Sequence, residues 1–275
     1  MKTSVLERAG VAALYFIPFT PLAVYTGMLF PYMSARNFFF RALVLVAFAA
    51  WLILWVRNST KYRPRVSFLA WSVLAFLAAS ALATAFAPNL SLAMWSNLER
   101  MDGLIAVSFL AAFFFSARAL FGAREWRIFF NISIGAGLAV SVIALLQLAG
   151  FLATHQGVSR IDATLGNASF FAVYMLLSAG LALFLAAASA TRRARLLYFA
   201  SAVLFLSLML ASATRSAFFA LPVALAVSCI TVLFFRRESI ALRRFGFVSL
   251  IILVCFGGAF FALRSIPSAV AHPLL

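Results

Sequence analysis

In the segment Leu208-Met-Leu-Ala-Ser-Ala-Thr-Arg-Ser-Ala-Phe-Phe-Ala-Leu221, a single charged residue, Arg215, lies between two apolar runs. An arginine deep inside a bilayer costs roughly 2.5–3.5 kcal/mol on insertion scales, which makes such a residue a candidate functional residue. The polar residues 212–216 therefore predict a break between two membrane helices, with Arg215 at the start of the second. Similar local arrangements occur around Arg100 and Arg160.

The composition is that of a membrane protein that crosses the bilayer several times. Of the 275 residues, 66% are hydrophobic and only 10% are charged, and phenylalanine alone occurs 32 times. A water-soluble core cannot bury that much apolar surface. The formal net charge of +16 comes from short basic clusters between apolar stretches, without a basic patch interleaved with aromatic residues. Nucleic acid is therefore not a predicted partner.

Apolar stretches recur along the whole chain and predict an all-α, polytopic membrane fold. Crossing a hydrocarbon layer of roughly 30 Å takes about twenty residues, and about nine stretches are long enough. They cover residues 9–30, 38–56, 66–86, 104–121, 128–152, 169–190, 196–211, 217–235 and 245–263. The sequence shows no soluble domain and no long linker, so one transmembrane domain is predicted for residues 1–275.

The distribution of basic residues predicts the orientation of these spans. Segments on one side hold 16 of the 22 Lys and Arg residues, namely residues 1–8, 57–65, 118–127, 192–195 and 236–244. The opposite side holds only Arg36, Arg41, Arg100, Arg160, Arg215 and Arg264. By the positive-inside rule, the N-terminus is cytoplasmic and the last span ends on the outer side.

Metal and disulfide chemistry are not predicted. The two cysteines, Cys229 and Cys255, lie inside predicted spans, and the only histidines are His155 and His272. This set lacks the spacing of a metal site or of a disulfide framework. We therefore predict no cofactor.

Three polar segments on the predicted outer face lie directly before spans four, six and eight. Each precedes a helix that runs from outside to inside, so three helix N-termini face the same side. Such termini expose unpaired N–H groups with a partial positive charge, and they favour anions. The segments are residues 94–103, 155–169 and 212–216, and they contain Arg100, Arg160 and Arg215.

An arginine at a helix N-terminus is unfavourable by itself, because the helix dipole has the same sign. Each arginine therefore needs an acidic neighbour or an anionic ligand. Arg100 and Arg160 have acidic residues within two positions, whereas Arg215 has none nearby in sequence. The planar guanidinium group matches paired phosphate oxygens, so a diphosphate is the predicted ligand. The acidic neighbours are Glu99, Asp102 and Asp162. The predicted substrate-binding residues are Glu99 and Asp162 together with Arg100 and Asn167.

Two other polar positions have both a structural and a functional interpretation. The run Thr164-Leu-Gly-Asn167 predicts a turn into span six, in which Gly166 supplies backbone freedom and Asn167 or Ser169 caps the helix. Contact between Asn167 and a ligand is the alternative. His155 lies just outside span five and is either a solvated loop residue or a general base.

Together these segments resemble the front two-thirds of the O-antigen ligase and O-antigen polymerase family. The resemblance is carried by Trp95-Ser-Asn-Leu-Glu-Arg-Met-Asp-Gly103, by Arg160-Ile-Asp-Ala-Thr-Leu-Gly-Asn167 opening a helix, and by Ala213-Thr-Arg-Ser-Ala217 between two spans. It covers residues 90–235 well, and the earlier spans by hydropathy alone. The order, spacing and common outer placement of the motifs make it specific.

The resemblance implies a metal-independent, all-helical membrane glycosyltransferase of lipopolysaccharide and polysaccharide synthesis in the bacterial cytoplasmic membrane. It implies transfer of a glycan from undecaprenyl diphosphate to an acceptor on the periplasmic or outer side. Arg160 and Arg215 match the arginines that hold the diphosphate, and Arg100 is a supporting contact. In the family a catalytic histidine lies in a large outer loop beyond the region matching span nine, with further helices after it. The resemblance thus implies that this chain is the front part of a longer protein.

Several alternatives stay open at this point. A ligase uses a lipid-anchored or protein acceptor, whereas a polymerase uses another carrier-linked repeat. A carrier or flippase for lipid-linked sugars would use the same arginines without a reaction, and an inactive truncated remnant would not transfer glycan. The candidate bases within the chain are His155, then Glu99 or Asp162.

Overall fold

The computed structural model describes residues 4–64, 67–97, 99–155 and 160–235, and every regular element in these ranges is a helix. The all-α prediction is confirmed for this part of the chain. Two short 3-10 helices, Ile17–Leu22 and Ala163–Leu165, accompany the α-helices. In chain order the α-helices are α1 Val5–Phe16, α2 Pro31–Arg57, α3 Ser59–Tyr62, α4 Phe68–Ala85, α5 Leu90–Trp95, α6 Leu104–Leu120, α7 Ala123–Leu148, α8 Ala168–Ala188, α9 Arg192–Ala211 and α10 Arg215–Phe235.

Six helical segments among the described residues are long and apolar enough to cross a membrane. They are α2, α4, α7, α8, α9 and the segment Val5–Leu22, which joins α1 to the first 3-10 helix. Helix α6, with 17 residues, and the part of α10 up to Ala224 are apolar but shorter. The chain therefore has the helices of a membrane protein, whereas the count of nine spans stays a prediction. Its ninth span, residues 245–263, lies outside the described residues.

The first two predicted spans have the wrong boundaries. Helix α1 gives way at Ile17 to the 3-10 helix that contains Pro18 and Pro21, and residues 23–30 are not helical. Proline lacks the N–H that an α-helix needs and clashes with the preceding turn, so the apolar run cannot continue as one helix. Helix α2 then begins at Pro31, a favourable first position, and not at residue 38.

Arg36 and Arg41, which the sequence placed on the outer side of the spans, lie within α2. At about 1.5 Å per residue, Arg41 is about 15 Å from the start of this helix. Its side chain is buried, and its Nη2 donates to the carbonyl oxygen of Met101 at 2.9 Å. Hydropathy did not indicate that Arg41 is buried within this helix, because a single cation changes the mean hydropathy of a long apolar helix only slightly.

The chain divides into two compact units, Met1–Ile143 and Ala144–Leu275, and the boundary falls within α7. That the two units form one membrane domain stays a prediction. In unit 1, helices α1, α2 and α6 pack around an apolar core that includes Leu14, Val44, Ala47, Trp51 and Leu120. Gly10 allows this close packing, since a Cβ there would lie 2.9 Å from Leu120 Cδ1 and 3.1 Å from Ala50 Cβ.

In unit 2, α8 packs against α9. Their buried faces combine large side chains with alanine, which lets two apolar helices approach closely in lipid. The fully buried large residues on these faces are Phe171, Met175, Phe205 and Met209. The connections at the ends of this helix pair carry the polar side chains of unit 2.

One end of unit 1 gathers three segments that the sequence predicted to share the cytoplasmic side. Lys61 Nζ lies 3.1 Å from Glu7 Oε1 and 2.7 Å from the Tyr62 hydroxyl. The Tyr62 hydrogen bond, with a smaller contribution from Glu7, raises the pKa of Lys61. These three residues line a cavity of about 400 Å³ at this end, together with Gly122 and Glu125. The described parts of these segments, residues 4–8, 57–64 and 118–127, thus meet, as the predicted alternation of spans requires, although the side of the membrane stays a prediction.

Gly103, the residue before α6, offers a sharp test of the fold of unit 1. A Cβ there would overlap the Met94 carbonyl oxygen and lie 2.6 Å from its carbon, which are backbone atoms of α5. We expect Gly103→Ala to separate α5 from α6 and to cost about 1–3 kcal/mol, as overpacking does. Gly135→Ala is the control, since a Cβ there meets nothing within 4 Å. Equal melting temperatures of the two variants in detergent would contradict the close approach.

Candidate functional site

The polar residues of unit 2 converge where α7 and α9 end and α8 and α10 begin. A chain of hydrogen bonds connects the end of α7 to the loop before α8, and this loop to the start of α10. We call this region the polar end of unit 2. It comprises Gln147, His155, Arg160, Asp162, Asn167, Ser212, Thr214 and Arg215.

The turn into α8 has the form that the sequence predicts. After the 3-10 helix Ala163–Leu165, Gly166 adopts a left-handed conformation with φ of 65°. Asn167 then caps α8, because its Oδ1 accepts from the backbone N–H groups of Ser169 at 2.8 Å and Phe170 at 3.4 Å. The capping prediction is confirmed for Asn167. This oxygen is therefore used at the start of α8. Contact between Asn167 and a ligand stays a prediction.

Asp162 does not neutralise Arg160, although it lies only two residues away. Its carboxylate is fully buried and lies 3.1 Å from the Nδ1 atom of His155. The backbone N–H of His155 donates to the same carboxylate at 3.0 Å. The structure thus joins Asp162 and His155, two residues that the sequence assigned to separate roles.

Gln147 belongs to this site, and the sequence analysis missed it. Its amide Nε2 donates to Asp162 Oδ1 at 2.9 Å and to the Ala153 carbonyl oxygen at 3.0 Å. Its Oε1 accepts from the backbone N–H groups of Asp162 at 3.2 Å and Ala163 at 2.8 Å. The sequence did offer one indication of its role, namely a single amide side chain in an apolar span. Glutamine in a membrane helix typically forms a hydrogen bond to another segment.

Arg160 connects the loop before α8 to the start of α10. Its Nη2 donates to the Thr214 hydroxyl at 3.2 Å, and this hydroxyl donates to the Ala168 carbonyl oxygen at 3.2 Å. The buried Nε of Arg160 has no hydrogen-bond partner among the described residues. Leaving a buried donor without an acceptor lowers the stability of the fold by about 1–3 kcal/mol. Thr214 is a second residue that sequence analysis did not assign to the site.

Arg215 is the first residue of α10 and follows Thr214 directly. The predicted break is confirmed, because α9 ends at Ala211 and residues 212–214 are not helical. The Arg215 side chain is exposed. Among the residues that the structure describes, neither Arg160 nor Arg215 forms an ion pair with an acidic side chain. Two guanidinium groups thus lie at or beside the start of α10 without a counter-charge from that part of the chain.

Arg100 and Glu99 lie in unit 1 and are exposed. The segment that carries them is held by α2, since Asn37 Nδ2 donates to the Arg100 carbonyl oxygen at 3.5 Å and Arg41 donates to Met101. These bonds use the backbone and leave the Arg100 side chain at the surface. A joint role of Arg100 and Glu99 with the arginines of unit 2 stays a prediction.

Strained backbone conformations cluster in the same three segments. Within the described ranges, the non-glycine residues with positive φ are Ser96 at 62°, Met101 at 53°, Ala163 at 47° and Ala213 at 51°. Each lies within four residues of Arg100, Arg160 or Arg215. Such conformations cost of order 1 kcal/mol or more each and are often found at functional sites. The clustering adds an independent indication that these segments are specialised.

Comparison of the chain with protein-family models, with curated proteins and with solved structures found no match. Within the described residues, no group of three His, Cys, Asp or Glu side chains is placed to hold a metal ion. The functional argument therefore rests on the polar end of unit 2 and on the sequence resemblance.

Proposed function

We propose that this chain is a membrane glycosyltransferase of the O-antigen ligase type. It moves a glycan from undecaprenyl diphosphate to a lipid-anchored or protein acceptor on the outer side of the bacterial cytoplasmic membrane. The observation that carries the proposal is the pair of guanidinium groups, Arg160 and Arg215, at the converging starts of α8 and α10. No acidic side chain among the described residues pairs with either of them.

A diphosphate matches this arrangement in charge and in hydrogen bonding. The starts of α8 and α10 contribute positive dipole ends, which favour an anion. The Arg160 Nη2 is bonded to Thr214, and its Nε has no hydrogen-bond partner among the described residues. A guanidinium group donates two parallel bonds to paired oxygens, and phosphate is a preferred recipient. A single carboxylate would leave part of this positive charge unbalanced.

The surroundings favour a lipid-linked donor over a soluble one. Helices α8 and α9, which carry the polar end of unit 2, are long and apolar enough to cross a membrane. A diphosphate bound at the end of such helices lies at the level where a polyprenyl tail enters the hydrocarbon layer. The tail then gains binding energy from the lipid phase, and the arginines hold the headgroup.

The proposed reaction is a displacement at the anomeric carbon. The acceptor hydroxyl oxygen forms a bond to this carbon, and the bond from the carbon to the diphosphate oxygen breaks. The electron pair of the broken bond stays on undecaprenyl diphosphate, and the hydroxyl proton passes to a base. Arg160 and Arg215 stabilise the charge that grows on the leaving group, an effect that is strongest where water is excluded.

The function is tested with the natural protein reconstituted in nanodiscs together with lipid-linked glycan extracted from cells that carry the gene. We expect free undecaprenyl diphosphate to appear in equal amount to the glycan transferred, and only when acceptor from the same cells is present. Binding of undecaprenyl diphosphate without its release from the donor would identify a carrier. Absence of both binding and release would overturn the proposal.

A further inference from the structure

We propose that unit 1 binds an anionic phospholipid between α4 and α6, with an acyl chain in an apolar groove and the phosphate group at Arg118. All residues that carry this inference belong to unit 1, so it does not depend on the glycosyltransferase proposed above. The evidence is the groove itself, a guanidinium group in line with its lining residues, and an excess of positive charge at that end of unit 1.

The groove between α4 and α6 has a volume of about 320 Å³. This volume is at the lower end of the range for ligand pockets, about 300–1,000 Å³. Ser72, Val73 and Phe76 line it from α4, and four apolar residues line it from α6. The hydroxyl of Ser72 donates to the Phe68 carbonyl oxygen one turn earlier, at 3.0 Å, so it is satisfied within α4. The lining is therefore suited to a hydrocarbon chain.

Arg118 lies on the same face of α6 as the groove. The lining residues of α6 are Val107, Leu110, Ala111 and Phe114, which follow the three- and four-residue spacing of one helix face. Arg118 comes four residues after Phe114, in the last turn of α6, and its guanidinium carbon lies 6.0 Å from the centre of the Phe114 ring. The face thus combines an apolar groove with a cation about one turn beyond it.

The Arg118 side chain lacks an acceptor for one of its donors. Its Nε is buried and has no hydrogen-bond partner within the described ranges, and no acidic side chain there forms an ion pair with it. The helix dipole favours a cation in the last turn of a helix, which accounts for the charge. The dipole supplies no acceptor for Nε, whereas a phosphate group does, because guanidinium and phosphate form two parallel hydrogen bonds.

The charge of this end of unit 1 favours an anionic headgroup over a neutral one. Residues 57–64 and 118–127 contain one acidic residue, Glu125, and six basic residues, namely Arg57, Lys61, Arg63, Arg118, Arg124 and Arg127. The Oε2 atom of Glu125 accepts from the Gly122 N–H at 3.0 Å, so this carboxylate is already engaged. Basic pockets between membrane helices on the cytoplasmic side, which the sequence predicts for this end, bind anionic lipid headgroups.

The polyprenyl tail of the proposed donor is a second apolar chain of suitable shape, but its headgroup belongs at the other end of α6. This helix begins at Leu104, directly after the segment that the sequence predicts to be outer and that contains Arg100. At about 1.5 Å per residue, Arg118 lies about 20 Å further along the helix. A phosphate group at Arg118 therefore belongs to a lipid of the opposite leaflet from the donor's diphosphate.

Photo-crosslinking in nanodiscs tests the site with the lipid in a bilayer. Phosphatidylglycerol or phosphatidylcholine with a diazirine in one acyl chain is added, at the same small fraction, to phosphatidylcholine nanodiscs that hold the natural protein. We expect the phosphatidylglycerol probe to label groove residues about fivefold more than the phosphatidylcholine probe, the effect of one basic residue near an anionic surface. Other lipid-facing residues should be labelled equally by both. Equal labelling of the groove by both probes would overturn the proposal.

Arg118→Gln removes the charge and keeps a polar side chain of similar length. It should bring the ratio of the two probes at the groove close to one. Arg57→Gln is the matched control, because Arg57 also lies in the last turn of an apolar helix at this end of unit 1, is exposed and does not line the groove. It should keep the preference. An equal loss in both variants would show that the lipid responds to the general charge of this end, and it would overturn the assignment to Arg118.

Ser72→Leu tests the groove independently of the charge. The larger side chain should fill part of the groove and lower its labelling by the phosphatidylglycerol probe severalfold. Ser80→Leu, the same change about two turns further along α4 and outside the lining, should not. The two serines are matched, because each donates to a carbonyl oxygen of its own helix, that of Phe68 or Phe76. Equal labelling of the two variants would overturn the groove as the place of the acyl chain.

Competition between lipids identifies the occupant. We expect unlabelled phosphatidylglycerol to displace the phosphatidylglycerol probe from the groove at a lower concentration than undecaprenyl phosphate does. The reverse order would assign the groove to the donor's tail and would overturn the proposal. Glycan transfer is measured separately, so a failure of the transfer assay leaves this result unaffected, and a failure to label the groove leaves the proposed function standing.

Discussion

Replacing both Arg160 and Arg215 with alanine should lower glycan transfer by about a thousandfold or more, because loss of one preorganised donor at a developing charge already costs about a hundredfold to a thousandfold. Membrane insertion should be unchanged. Arg215 is exposed, and Arg160 is held among the described residues by its hydrogen bond to Thr214, so neither residue supports the core of unit 2. The measurement is the release of undecaprenyl diphosphate, with insertion checked by protease protection.

Lysine variants distinguish the shape of the guanidinium group from its charge. One ammonium group cannot reproduce two parallel hydrogen bonds, so Arg160→Lys and Arg215→Lys should also be impaired. Full activity of both lysine variants would show that these positions require only a positive charge and not the shape of the guanidinium group. Normal transfer in the double alanine variant would show that neither arginine belongs to the site.

Arg192 provides a matched control for Arg215. It is the first residue of α9, it is exposed, and it also follows a threonine, Thr191, which caps its helix by accepting from the Ala194 N–H. Because α9 ends where α10 begins, Arg192 lies at the opposite end of α9 from Arg215. Arg192→Ala should therefore keep normal transfer. An equal loss in both variants would mean that the effect comes from any arginine at a helix start.

The sequence predicted the local features of the site because these depend on neighbouring residues. The polar run 212–216 interrupts two apolar stretches, and α9 ends and α10 begins at this run. Gly166 and Asn167 stand in the order that a turn and a helix cap require. These features are confirmed at residue level by the left-handed φ of Gly166 and the two bonds to Asn167 Oδ1.

The sequence alone did not predict which of several possible hydrogen-bond partners a side chain contacts. Asp162 is near Arg160 along the chain, yet its carboxylate binds His155 and Gln147, because the 3-10 turn directs it into the interior. The end of α1 and the start of α2 were missed for a related reason. Hydropathy averages over a window, whereas Pro18, Pro21 and Pro31 act on single backbone positions.

The same difference between local and long-range information explains Arg41. Its charge was visible, and the sequence analysis counted it with the arginines of the outer side, although residue 41 falls within the predicted span 38–56. Within unit 1 the cost of burying this cation is offset by the Met101 carbonyl oxygen, 60 residues further along the chain, and by the Phe109 ring at 5.7 Å.

Replacing Gln147 with leucine should be the most damaging single change to the stability of unit 2. The side chain is buried, and its loss leaves two backbone N–H groups, one backbone carbonyl and one carboxylate oxygen without this partner. Each unsatisfied buried group costs about 1–3 kcal/mol, and because such costs are not additive we expect a total of about 3–5 kcal/mol. In a chain of this size, that corresponds to a fall in melting temperature of roughly 10 °C.

Gln147→Glu tests the same network through its charge. The new carboxyl group keeps the acceptor for Asp162 N and Ala163 N, but its second oxygen then faces Asp162 Oδ1, at the 2.9 Å separation that the amide donor now bridges. When this carboxyl group is protonated it can still donate there, whereas its ionised form repels Asp162, so the loss of stability should grow as pH rises. Ser133→Ala, on the same helix, is the control, because the Ser133 hydroxyl donates to the Phe129 carbonyl oxygen one turn earlier and so stays within α7. A Gln147→Leu melting temperature equal to that of Ser133→Ala would mean that the amide does not hold the loop to α7.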